Sequence, residues 1–315
     1  MSPLLDVRDL SVSFRLGDGR LLRAAHEISF SLDRGQSLAL VGESGSGKST
    51  IAKLITRLVP AWGGAVHLDG QDVLSAESRP SRRYRKRVQM IFQDPFGSMN
   101  PVHTVRHHIE RPLKIHGRFK EGMVESLLER VMLRPAEMFA AKYPAEMSGG
   151  QLQRVAIARA LAVEPDLLIA DEPTSMLDVS ARVDILRLLK GLQDQGMALL
   201  FITHDLAAAR FIADRILVLY AGQVMEEGDA ERMIADPQHP YTRLLMAAAP
   251  RPGGSLMAEL PGKPGLPPTI DPPPGCPFAP RCPSTQSLCA ERTPQLLVQH
   301  AHAARCHLYT EENVT

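Results

Sequence analysis

The chain has 315 residues, with 36 Lys and Arg against 35 Asp and Glu, and 44% of it is hydrophobic. That length suits one large domain plus an appendage, and that apolar share can bury a sizeable core. A formal charge of +1 gives no reason to expect a nucleic-acid binder. No apolar run approaches the roughly 18 residues that span a bilayer. The start, Met1-Ser2-Pro3-Leu4-Leu5-Asp6-Val7-Arg8-Asp9, carries charge too early for a secretory signal. The expected location is cytoplasmic, with any membrane location arising through partners.

Strands are expected over residues 7–14 and 27–32. Leu10, Val12 and Phe14 alternate on one face of the first. Residues 37–41 form a short apolar run that predicts a buried strand. It leads into Gly42-Glu43-Ser44-Gly45-Ser46-Gly47-Lys48-Ser49-Thr50. Gly42, Gly45 and Gly47 let the backbone turn tightly and bring N–H groups close to phosphates. A helix is predicted over residues 48–58, its positive end aimed at the same anions. Lys48 is placed to reach the β- and γ-phosphates, Ser49 to ligate Mg²⁺ and Thr50 to add a hydroxyl contact.

Further strands are expected over residues 65–68 and 88–92. Residues 79–87 contain six basic side chains, read either as a solvated face or as a contact for lipid headgroups or a membrane partner. From about 94 to 162 the pattern is mostly helical, with residues 124–132 amphipathic. His103, His107 and His108 fall near helical spacing, open to a metal-site or an ordinary structural reading. Met147-Ser148-Gly149-Gly150-Gln151 precedes a helical pattern over residues 151–163, a second helix N-terminus with free N–H donors. Two such phosphate-binding ends in one domain are difficult to aim at one nucleotide.

From residue 163 to about 236, strands and helices alternate again, as in a mainly parallel sheet. The strand expected over residues 166–170 ends in Asp171-Glu172-Pro173-Thr174. Asp171 is positioned to hold a metal and Glu172 to polarise an attacking water. A strand over residues 198–202 is followed by Thr203-His204-Asp205, where His204 can contact a γ-phosphate.

These motifs together resemble the ATP-binding-cassette (ABC) ATPases. Ser148-Gly149-Gly150-Gln151 with Gln153-Arg154 matches that family's signature, Gln93 its glutamine loop and His204 its switch histidine. Ser175-Met176-Leu177-Asp178 fills the loop that crosses the dimer interface, where Met176 is larger than the usual residue. The resemblance implies an α/β P-loop ATPase with a parallel core sheet, an antiparallel β subdomain and a helical subdomain bearing the signature. It implies ATP and Mg²⁺ as ligands, the metal held by Ser49, Gln93 and Asp171. Nucleotide contacts are implied for Gly42, Ser44, Gly45, Gly47, Lys48, Thr50, Ser148, Gly149, Gly150, Gln151 and Asp178. Phe14 is either the aromatic that stacks on adenine or a core strand residue. Catalysis is assigned to Lys48, Gln93, Glu172 and His204. The signature of one cassette closes on the nucleotide of another, so a second ATPase subunit is required.

The last third separates from the cassette at about residue 237. His239-Pro240-Tyr241-Thr242 opens it, residues 250–274 hold nine prolines, and all four cysteines of the chain follow at 276, 282, 289 and 306. The proline stretch predicts a stiff, extended linker. The cysteine spacing, C-x5-C-x6-C-x16-C, lacks the tight zinc knuckle and the ferredoxin run, and a disulfide is disfavoured in a cytosolic protein. This end resembles the C-terminal extension of dipeptide/oligopeptide importer ATPases, as does Phe92-Gln93-Asp94-Pro95-Phe96-Gly97-Ser98-Met99-Asn100-Pro101. The resemblance runs from about Leu4 to His307. It favours a 4Fe–4S cluster at Cys276, Cys282, Cys289 and Cys306, with Zn²⁺ or no metal as the alternatives. It also implies a heterodimer with a related ATPase, two membrane permeases and an external solute-binding protein, on the cytoplasmic face of the membrane. Import of oligosaccharides or nickel uses the same architecture. Soluble ABC machines acting on DNA or ribosomes are a different class, but their paired cassettes, coiled coils and basic arms are absent from this sequence.

Overall fold

Residues 2–75, 81–248, 263, 265, 267–299 and 301–309 are described by the structure, a computed structural model. Two units emerge from it. One gathers Met1–Leu32, Ser37–Ala76 and Thr203–Thr315; the other gathers Asp33–Gln36 and Glu77–Ile202.

In the first unit, apolar alternation builds an antiparallel sheet of Leu21–Leu32, Leu5–Arg15, Gly63–Leu68 and Gln71–Asp72, in that order. Leu5, Val7, Leu10 and Val12 are buried, and Leu5 stands opposite Leu32 on one neighbour and Leu68 on the other. A one-residue slip would turn this whole face to water, so burial fixes the register. The alternation ends at Phe14, which is 37% exposed.

The same unit holds a mixed ladder. Ser37–Val41, buried along its whole length, runs parallel to Arg215–Tyr220, as continuous apolar strands do in covered parallel sheets. Gln223–Asp229 returns antiparallel through Ala221 and Gly222, both at positive φ (47° and 76°), which matches the right-handed strand twist. A hairpin of Leu297–Gln299 and His302–Ala304 extends this ladder by pairing onto Gln223–Asp229. Nothing in the sequence pattern had predicted that hairpin.

The C-terminal residues borrow their core. Glu226 is fully buried. Its Oε1 accepts the Gln238 N–H at 2.6 Å and lies 2.6 Å from His302 Nε2, and its Oε2 accepts the His239 N–H at 3.0 Å. His239 Nδ1 in turn accepts the Tyr241 N–H at 3.0 Å, which requires a neutral ring. Burial agrees, lowering the His239 pKa to about 4. Pro240 starts the helix Pro240–Ala248, where its missing N–H costs nothing. Phe278, fully buried, packs against Tyr220 and Tyr241 with both ring centroids at 5.3 Å.

In the second unit, Val88–Ile91, Leu167–Asp171 and Ala198–Thr203 pair in parallel, in that order. Its helical part comprises Val105–Ile115, Met123–Arg130, Ala136–Ala141 and Gly149–Leu161, followed later by Val179–Asp194. Val105, Ile109 and Leu113 are buried, as are Val124, Leu128, Leu152 and Val155. The i, i+4 and i, i+3 repeats are what an amphipathic helix must present to a core. The basic run is mostly the helix Arg82–Arg87, capped by Ser81, with Tyr84 buried and Arg87 paired with Asp166; Arg79 lies outside the described residues. So does most of the proline-rich stretch over residues 250–274. Among the described residues no helix is long and apolar enough to cross a membrane.

Replacing Glu226 by Ala leaves His302 and two buried N–H groups without their acceptor. The expected cost is about 3 kcal/mol, the upper end of the range for leaving buried hydrogen-bonding groups unsatisfied. The check is the urea-unfolding midpoint of the full chain; a midpoint equal to wild type would show that the carboxylate holds nothing together.

Candidate active site

The phosphate loop lies in the first unit, between the strand Ser37–Val41 and the helix Lys48–Ile55. At Gly42 an added Cβ would collide with the Leu219 carbonyl oxygen. At Gly47, where φ is +102°, it would collide with the Ala24 carbonyl oxygen. Only glycine allows this close approach. Lys48 is buried, and its ammonium donates to the carbonyl oxygens of Gly42 at 2.7 Å and Glu43 at 2.9 Å. Ser46 N–H also donates to the Glu43 carbonyl, at 3.2 Å. The loop is therefore curled around its own lysine. The helix has no side-chain cap at Gly47 and no acidic residue in its first turn, which leaves a positive N-terminal end suited to an anion. Ser49 and Thr50 in that turn are half-buried and Ser44 is exposed. The helix ends at Ile55, earlier than expected, because Arg57 takes a positive φ of 57°.

Glu43 has further partners. Its backbone N–H donates to the Tyr241 hydroxyl at 2.9 Å, and its carboxylate takes both ends of the Arg281 guanidinium, at 2.8 and 3.0 Å. That bidentate bond holds the Arg281 pKa above its ordinary range. His204, also in this unit, is exposed just beyond Thr203, and Asp205 caps the helix Leu206–Ile212 with bonds from Ala207 and Ala208.

The second unit carries the carboxylates. Asp171 closes the strand Leu167–Asp171 and is buried. Glu172 beside it has φ +43°, a left-handed conformation that costs a non-glycine residue energy and that clusters at functional sites. It is held there by bonds from its N–H to Ile202 O at 2.9 Å and to its carbonyl from Ser175 Oγ at 3.0 Å. The Gln93 side-chain amide donates to Glu172 Oε2 at 3.3 Å, joining residues 79 positions apart.

The signature is a capping box. Ser148 Oγ accepts the Gln151 N–H at 3.3 Å, and Gln151 Oε1 accepts the Ser148 N–H at 3.1 Å. The helix consequently starts at Gly149, two residues before the expected position. Gly149 faces Leu177, and an added Cβ on Gly150 would press on Ala181. Asp178 caps the helix Val179–Asp194, its Oδ1 accepting from Ala181 N–H at 2.9 Å and Ser180 Oγ at 2.6 Å. The Ala181 bond leads in lowering its pKa. Met176 is exposed, so its bulk displaces no packing within this chain.

Cys276, Cys282, Cys289 and Cys306 all line one small apolar pocket, together with His239 and Phe278. Burial raises the thiol pKa at Cys276, to about 11, and also at Cys282 and Cys306. The convergence fits the expectation, but the cluster itself finds no support. Among the described residues no group of three or more His, Cys, Asp or Glu side chains is arranged to hold a metal ion. Thiols are the right donors, yet as placed they do not form a ligand set. The same finding covers His103, His107 and His108. His103 and His107 stack at 4.0 Å, and His108 Nε2 lies 3.0 Å from the Asn100 carbonyl.

Comparison with known proteins agrees with this geometry. The family described as ABC transporter matches residues 25–175, and the family described as oligopeptide/dipeptide transporter, C-terminal region, matches residues 225–289. A Brucella abortus (strain 2308) protein named as a peptide import ATP-binding protein is 42% identical over 96% of this chain and 92% of its own length. The oligopeptide transport ATP-binding protein YkfD of Bacillus subtilis (strain 168), so named, is 40% identical over 98% of this chain and 96% of its own. Among solved structures, the dimeric ATP-binding cassette MJ0796, in a post-hydrolysis state bound to ADP and Pi, superposes with a TM-score of 0.64. It is 29% identical, over 72% of this chain and 98% of that one. The fold is that of an ABC-type ATPase. The chain belongs to the ABC transporter family, among the ATP-binding proteins that carry the oligopeptide/dipeptide C-terminal region.

Proposed function

We propose that this chain is an ATP-hydrolysing subunit that powers an importer of dipeptides and oligopeptides. The oligopeptide/dipeptide C-terminal region at residues 225–289 carries the reading. Relatives named for peptide import, alignable over nearly the whole chain, support the substrate class.

In this proposal Gly42, Ser44, Gly45, Gly47, Lys48 and Thr50 cradle the phosphates, and Phe14, exposed at the end of its strand, stacks on adenine. Mg²⁺, held by Ser49, Gln93 and Asp171, would neutralise phosphate charge. Glu172 polarises the attacking water. The Gln93 amide donates to Glu172 Oε2 and so orients that carboxylate. His204 holds the γ-phosphate end of the closed state. Ser148, Gly149, Gly150 and Gln151, with Asp178, serve the nucleotide of a second, related ATPase subunit, whose own signature serves this one. Most of the rate then comes from positioning and charge stabilisation. Two permeases and an extracytoplasmic solute-binding protein complete the assembly, with the ATPases peripheral on the cytoplasmic face.

A second, narrower reading rests on the thiol chemistry of four cysteines that line one pocket, not on a formed ligand set: a soft-metal centre, 4Fe–4S first and Zn²⁺ second, that would cross-link the C-terminal segment. Cys276, Cys282, Cys289 and Cys306 would hold it, and its role would be structural.

Glu172→Gln should keep ATP binding and lose roughly 10²–10⁴-fold in turnover, as for other positioned general bases; turnover within about twofold of wild type would remove Glu172 from that role. Gentle detergent extraction from native membranes should bring down two permeases and a second ATPase. Partners limited to ribosomes or DNA-repair proteins would end the transport reading, and a nickel- or sugar-binding partner would end the peptide one. Protein purified anaerobically should contain iron and acid-labile sulfide and show visible charge-transfer absorbance. Stoichiometric zinc would replace the cluster by the alternative, and no metal at all would leave four free thiols.

A further inference from the structure

Several bonds converge on Glu43 in the phosphate loop. Its carbonyl takes Lys48 and the Ser46 N–H, its own N–H is taken by Tyr241, and its carboxylate by Arg281. Two of these partners come from the C-terminal region, 198 and 238 residues further along the chain. Neither is free to drift. Tyr241 is fully buried, with its backbone N–H fixed by His239. Arg281 is mostly buried, with its guanidinium carbon 5.6 Å from the Tyr220 ring centre and 5.9 Å from that of Phe278. The guanidinium also reaches the Tyr220 hydroxyl at 3.3 Å.

We infer that Arg281 and Tyr241 are positioning residues for the ATPase reaction, holding the phosphate loop in its binding shape and neutralising Glu43 beside the triphosphate. The inference rests on reading residues 42–50 as the ATP cradle. Two physical effects support it. The carbonyls that grip Lys48 belong to Gly42 and Glu43, so anchoring Glu43 sets where the ammonium stands. An unpaired carboxylate in that loop would also repel a polyanion, and the repulsion is weakly screened where the pair is largely shielded from water. Through these bonds the C-terminal region acts on nucleotide affinity without touching the nucleotide.

The test is equilibrium binding of labelled ATP to the full chain, alongside steady-state hydrolysis. Arg281→Met keeps the apolar stem over Tyr220 and removes the charge. It should weaken ATP binding on the order of tenfold, about 1.4 kcal/mol, while kcat at saturating ATP stays within about twofold. Adding Glu43→Gln to Arg281→Met removes the unpaired charge and should recover most of that affinity; Arg281→Lys should lose less than Arg281→Met. A change in fold stability alone would give none of this pattern. Wild-type affinity in Arg281→Met, or a double variant as weak as the single one, overturns the inference. Should Arg281→Met fail to fold, Tyr241→Phe decides: it removes only the hydroxyl, and an unchanged ATP affinity there overturns the inference equally. Lys48→Ala separates the two readings. Tight ATP binding by that variant overturns the cradle itself, whereas lost binding there with an unaffected Arg281→Met overturns only the clamp.

Discussion

A carboxylate with no exposed surface, Glu226, fixes where the last part of the chain can go. It sits on the strand Gln223–Asp229 and accepts from the two residues that precede the helix Pro240–Ala248 and from His302 on the terminal hairpin. A buried polar group is tolerable only when its hydrogen bonds are made, so these elements must meet at one point. Once they do, Tyr241 and Phe278 have one place to pack, and Arg281, three residues beyond Phe278, comes within reach of Glu43. The order of dependence runs from a buried acid to an aromatic cluster to the phosphate loop.

This order also explains the His-Pro-Tyr-Thr stretch better than its spelling does. His239 donates its backbone N–H to Glu226 and accepts the Tyr241 N–H at ring Nδ1, and only the neutral ring can fill that second role. Pro240 begins the helix, and Tyr241 carries the contact into the loop. A small segment with four cysteines has too little apolar area for a core of its own. It is instead held by Phe278 and by a hairpin added to an existing strand.

The parts legible in the sequence are those whose signal is local. The strand Ser37–Val41 stands at its expected limits, because four consecutive apolar residues before a glycine-rich turn leave little choice. The capping box at Ser148 and Gln151 is likewise written within four residues. Helix ends were misjudged by a few residues, at Arg57 through a positive φ and at Gly149 because the cap precedes the apolar repeat. What stayed hidden is long-range. No pattern joins Glu43 to Arg281 or Glu226 to His302, and the short hairpin Leu297–Gln299 with His302–Ala304 has too few residues to show a period. The four cysteines were legible as a cluster in sequence and proved to be one in space, but their spacing did not specify a ligand geometry.

Backbone conformation distinguishes the two adjacent carboxylates. Asp171 ends a regular strand and stays buried, as suits a group that must hold a fixed position. Glu172, one residue later, is turned into the left-handed region, so its side chain cannot continue the strand's alternation. Such a conformation persists only where its surroundings determine it, and here the Ile202 carbonyl, Ser175 and Gln93 do so. Gln93 and Glu172 are therefore linked before any nucleotide arrives. A displacement of the segment bearing Gln93 must either carry the Glu172 carboxylate with it or break a 3.3 Å hydrogen bond. That bond can be broken or tightened at a cost of about 1 kcal/mol.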